Sequence, residues 1–111
     1  MNDLIAQLST GNHQLVMGGI LPSQTELKQR IEEPGYVFLT FTETRGQTNL
    51  GIRLDKSATD VSKADFANGT GSVHLEGTLT LDYMHVRCLA DLDLATLQGT
   101  GHLEVLANVH P

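Results

Sequence analysis

The side chains best suited to chemistry in this chain are imidazoles and carboxylates at alternating positions. His74 and Glu76 form one set, His85, Asp91 and Asp93 a second, and His102 and Glu104 a third. Brought together, imidazoles and carboxylates can hold a divalent metal. An imidazole beside a carboxylate can also serve as a general acid–base. The competing expectation is a solvated or interface face, because alternating polar side chains are what any one-sided sheet presents to water. His74, Glu76, His85, Asp91, His102 and Glu104 are therefore candidate ligand-binding residues. No catalytic residue, metal site or cofactor is assigned.

Other chemistry finds little support. Cys88 is the lone thiol. Its parity places it with Val86, Ala90 and Leu92 on an apolar face, whereas a nucleophilic thiol needs exposure and a positive neighbour. Arg87 and His85 point to the opposite face. Gly99 and Gly101 lack the third glycine and following helix of a dinucleotide fingerprint, and the chain has no Cys-x-x-Cys, His-Glu-x-x-His or Gly-x-Ser-x-Gly motif. Thr40, Thr42 and Thr44 form a polar row whose residue type favours strands and needs no functional reason.

The elements that must position these residues are read from period. From Val73 to Tyr83 the odd positions are apolar and the even ones polar, which is a strand with one buried face. From Met84 onward the phase reverses, so a tight turn, or else a bulge, falls at Asp82–His85. Gln98-Gly99-Thr100-Gly101 reads as the next turn. Leu103, Val105, Ala107 and Val109 then continue the alternation. Upstream, Tyr36–Arg45 and Thr48–Asp55 predict a hairpin around Gly46. The apolar side of that hairpin carries Val37, Leu39, Phe41, Leu50, Ile52 and Leu54.

A short helix begins at Asn2 or Asp3, and a short strand with a glycine break covers His13–Leu21. Ser23 and Glu26 have capping-box spacing, opening a helix that carries Leu27 and Ile31 and stops at Glu33-Pro34-Gly35. The long connection at 56–69 is either a helix capped by Asp60 or a mobile flap. The first strand of the hairpin starts apolar on both sides, since Tyr36 and Phe38 oppose Val37, Leu39 and Phe41. Tyr36 and Phe38 are the candidate interface, to be covered by the helix or by a second chain.

At 111 residues the chain is one domain with a single core. Its formal net charge of −6 argues against nucleic-acid or anionic-membrane partners. A single cysteine, no basic leader and no long apolar run fit a soluble cytoplasmic protein. The expected fold is α+β, with two short N-terminal helices packed on a curved antiparallel sheet (a meander) of five to six strands. The expected function is a non-enzymatic binding or assembly module that self-associates as a homodimer. One alternative is a small apolar-ligand binder using the concave sheet face under the 56–69 loop. The other is a metal-dependent or acid–base enzyme on the polar face. The order of elements resembles folds in which a sheet wraps a central helix, used for small-ligand binding or thioester hydrolysis. The helix here is too short and too sparsely apolar for that central place, and a fold likeness does not set function.

Overall fold

Leucines and valines at every second position drive one side of a pleated ribbon out of water, and here that ribbon rolls up until it meets itself. The computed structural model describes residues 3–19, 22–33 and 35–108. The elements run α1 (Asp3–Leu8), β1 (His13–Met17), α2 (Gln24–Glu32), β2 (Tyr36–Phe41), β3 (Thr48–Leu54), β4 (Ala64–Asp65), β5 (Thr70–Leu81), β6 (Met84–Asp93) and β7 (Gln98–Asn108). The fold is α+β with an antiparallel sheet and two short helices. Asn2, Ile20, Leu21, Pro34 and Val109, used in the sequence reading, lie outside the described residues.

The strand order is β3-β2-β1-β7-β6-β5-β4, and β3 also pairs with β5. This corrects the expected five- to six-stranded curved sheet. There are seven strands, and six of them close into a barrel. Two features produce closure. The N-terminal strand β1 inserts between β2 and β7, joining the hairpin to the β5–β6–β7 meander. The seam then forms through Arg53↔Thr78 and Leu54↔Gly77. Gly77 is needed there: a Cβ on it would lie 2.3 Å from the Arg53 carbonyl oxygen, inside contact distance for any side chain.

The barrel interior is a packed core. Leu15, Leu39, Phe41, Ile52, Leu75, Val86, Leu92 and Leu103 are almost fully buried, and Ile5 and Leu8 of α1 and Leu27 of α2 join the same cluster. A barrel of about eight strands has just enough room for its own side chains, so six strands leave less. Each such side chain contributes about 1.5–3 kcal/mol of burial energy. α1 lies against β7 and α2 against β2. Ser23 caps α2 by accepting from the Glu26 amide at 3.0 Å. The reciprocal half of the capping box is replaced, because the Glu26 carboxylate accepts from Arg30 Nε at 2.6 Å.

Three local expectations change. The β5–β6 turn is confirmed at Asp82 and Tyr83, both at positive φ (50° and 63°), the backbone of a two-residue hairpin whose twist matches its strands. The next turn, however, precedes Gln98, which already pairs with Asp93 and Val16. Gly99 is a strand residue whose added Cβ would strike the Asp91 carbonyl. No helix forms at 60–68. That segment runs along the edge of β5, where Asp60 and His74 exchange backbone hydrogen bonds of 2.9 Å and Ala64–Asp65 pairs with Thr70–Gly71. The concave side of the sheet is therefore the filled barrel interior, and the 56–69 loop lies beside a strand rather than over that side. Finally, Val105, expected in the core, is 37% exposed, and Leu79 and Leu81 are only partly buried. These three residues belong to the ends of β5 and β7, which run past the seam.

Candidate functional site

The β5–β6 register sets the polar face. Opposite pairs are His74↔Asp91, Glu76↔Leu89 and Thr78↔Arg87. Because β-sheet side chains reach both direct and diagonal neighbours, His74, Glu76, Asp91 and Arg87 meet. His74 Nδ1 lies 2.8 Å from Asp91 Oδ1 and its Nε2 lies 2.6 Å from Glu76 Oε2. Arg87 donates to Glu76 Oε1 from Nε at 3.1 Å and from Nη2 at 2.9 Å. It also donates from Nη2 to Asp55 Oδ2 at 3.2 Å. Asp55 Oδ1 in turn accepts from the Ser57 hydroxyl at 2.7 Å. The result is a chain of alternating charge on the outside of the seam.

A neutral imidazole can donate only one hydrogen bond, yet both ring nitrogens of His74 face carboxylate oxygens. The doubly protonated ring satisfies both. The hydrogen bond to Glu76 is the main cause that lifts the His74 pKa above its ordinary value, opposed by partial burial and assisted by Asp91. Glu76 is held below the usual carboxylate range by His74 and then by Arg87. Asp55 is lowered by Ser57 and then by Arg87. In its doubly protonated form His74 has no lone pair to offer a proton or a metal. Among the described residues, no three of His, Cys, Asp and Glu are placed to hold a metal ion. Arg87 and Asp55 complete this cluster and were not among the candidate residues read from the sequence. Parity alone places Arg87 on the polar face with His85 and Asp91. Asp55 is brought in by the β3–β5 seam, which has no local signal.

The other candidates fall elsewhere. His102 and Glu104 pair with each other on β7, Nε2 to Oε2 at 3.6 Å, and His102 Nδ1 lies 3.1 Å from Asn12 Oδ1. Leu89 stands between Glu76 and His102, pairing with both, so these two sets are two strand spacings, about 10 Å, apart. His85 faces a different region, a cleft it shares with Tyr36 and Arg53. Tyr36 and Phe38 pack edge to face with centroids 5.4 Å apart. Arg30 of α2 lies 5.3 Å over the Phe38 ring, which leaves Phe38 36% exposed. Thr40 and Thr44 are buried, and their hydroxyls bond to Asn49 and Thr48. Cys88 is buried in the core, and loss of solvent pushes its thiol up to about 12.

No protein family and no curated protein matches this chain. Function must then be read from its surfaces. Among the described residues, exposed large apolar side chains gather at the end of the β5–β6–β7 ribbon beyond the seam. Tyr83 is 62% exposed, Leu106 49% and Val105 37%. β1 pairs with β7 only from Gln98 to Gly101. From His102 to Asn108, among the described residues, β7 has β6 on one side and no strand on the other. The β6–β7 register shifts between His85, which pairs with Ala107, and Val86, which pairs with Val105, making Leu106 the extra residue of a bulge. No described helix is long and apolar enough to cross a membrane.

Proposed function

We propose that this protein is a non-enzymatic assembly module that forms a homodimer through the open edge of β7. The observation that carries this reading is the coincidence of an unpaired strand edge with the exposed side chains of Val105 and Leu106. An exposed apolar edge is a template for another strand, and natural proteins usually blunt such edges. A second copy fits because two identical antiparallel strands related by a two-fold axis make one closed, self-complementary contact. Charge permits it as well. A two-fold axis at Val105 sets Glu104 against Leu106, and one between Val105 and Leu106 sets it against Ala107. With either of these axes the two Glu104 carboxylates do not face each other, avoiding the like-charge penalty. Tyr36 and Phe38 are the other surface open to a second copy, already shared with Arg30 of α2. Sedimentation equilibrium tests the reading: the wild type fits a dimer, Leu106→Lys becomes monomeric, and Phe38→Lys stays dimeric. A wild type that remains monomeric at millimolar concentration would remove it.

A second reading has its own support. A cleft of about 190 Å³ lies under the 56–61 segment, between Ile31, Leu54, Thr59 and Val61. It is mainly apolar and suits a small apolar ligand, though it is small against the usual range of roughly 300–1,000 Å³. Displacement of an apolar dye that is abolished by Val61→Asp would favour it.

A further inference from the structure

We propose that the cleft where β3 and β5 part binds a small organic anion, a carboxylate or phosphate ester carrying an apolar body, with Arg53 as its charged anchor. The two strands pair at Arg53↔Thr78 and Leu54↔Gly77 and then separate. The next pairs in that register, Ile52↔Leu79, Gly51↔Thr80 and Leu50↔Leu81, are not made. A cleft of about 500 Å³ opens in their place, within the range of small-molecule sites of roughly 300–1,000 Å³.

Its walls are selective in charge. The chain has 13 acidic and 7 basic residues, yet no residue lining this cleft is acidic, while Arg53 and His85 both line it. Arg30 and Arg87 are committed to carboxylates. Among the described residues, Arg53 has no such partner, so its planar fork of N–H donors is open to a carboxylate or phosphate. Other donors surround it. The Tyr36 phenol lies across Gly51, so close that a Cβ there would fall 1.9 Å from its hydroxyl oxygen. Gly51 thus makes the room in which the phenol reaches the cleft. The Asn49 side-chain carbonyl takes the Thr40 hydroxyl, leaving its amide N–H groups as donors. Partly buried Leu79 and Leu81 supply an apolar wall on the opposite strand. Donors from β2 and β3 and a fixed cation on β3, facing Leu79 and Leu81 of β5, match an anionic head on a short hydrocarbon body. This site is independent of the β7 edge.

The test is a titration of the ¹⁵N-labelled protein with octanoate, octyl phosphate and the neutral octanamide, followed by amide shifts. Saturable shifts at Gly51, Arg53, Leu79–Leu81 and His85 with both anions are expected. Octanamide should bind at least tenfold more weakly. Arg53→Gln, whose exposed side chain leaves the fold intact, should weaken octanoate at least tenfold, and Arg45→Gln should change nothing. Equal binding of octanamide and octanoate, an Arg53→Gln protein that binds octanoate as the wild type does, or shifts centred on another surface would each overturn the proposal.

Discussion

Replacing Gly77 by alanine separates a closed barrel from an open sheet. The added Cβ would sit 2.3 Å from the Arg53 carbonyl oxygen and 2.6 Å from Ile52 Cγ2. The first obstacle is backbone, so relief requires β3 and β5 to part. Overpacking costs roughly 1–3 kcal/mol. Weakening the two seam pairs forfeits about 1 kcal/mol per backbone hydrogen bond. Alanine returns about 0.5–1 kcal/mol over glycine within a strand. The balance is a loss of roughly 2–4 kcal/mol, a large part of the 5–15 kcal/mol stability of a typical domain. Gly51→Ala is the control. The three atoms nearest its added Cβ all belong to the far end of the Tyr36 side chain, which can swing aside, so its cost stays below about 1 kcal/mol. Urea denaturation of both variants reads the difference directly. Backbone amide exchange should also quicken at Asp55 in Gly77→Ala, because the Asp55 amide donates to Glu76 O across the seam at 2.8 Å, while Leu54, whose amide donates to Gly35 O on the other side of β3, should be less affected. If the two variants were equally stable to within about 0.5 kcal/mol, the seam would not hold the barrel and the reasoning would fail.

Two further outcomes follow from the outer network and the core. His74 is raised above its ordinary 6.5, so its contribution is complete below pH 6.5 and is lost as pH rises through the folded value. Glu76 is lowered from 4.5, so its contribution is present above pH 4.5 and is lost as pH falls through the folded value. Thermal unfolding should peak between these limits, and His74→Gln should flatten the alkaline decline. An unchanged slope in the variant would count against the paired imidazolium. Cys88, with its thiol pushed up to about 12 by burial, should resist a thiol reagent at pH 8 until urea unfolds the chain, and labelling of the native protein within seconds would contradict that placement.

Much of the fold was legible because period 2 is a strong local signal. The phase reversal after Tyr83 located a turn that Asp82 and Tyr83 make without glycine or proline, and the parity of Cys88 put it in the core. Closure was not legible. It depends on β1 entering between β2 and β7, and on β3 meeting β5 across a connection of some fifteen residues. Neither pairing leaves a mark in neighbouring residues. Gly77 and Gly99 carried the information in a disguised form. Gly99 was read as part of a turn, whereas it and Gly77 each mark a place where another backbone comes too near for a side chain. The candidate site divided for the same reason. His74, Glu76 and Asp91 share a hairpin whose register follows from its turn. His85 and the His102–Glu104 pair sit on the same face of the sheet, but register places Leu89 between Glu76 and His102. Asp55 reached the cluster only through the seam.

Assembly through the β7 edge is most directly tested by hydrogen exchange of the wild-type protein across a hundredfold range of concentration. Amides within His102–Asn108 should gain protection as concentration rises, and more so at 0.5 M salt, which screens the repulsion between two chains of net charge −6. Exchange there that stays rapid and independent of concentration, while the core of β5 and β6 remains protected, would contradict the account.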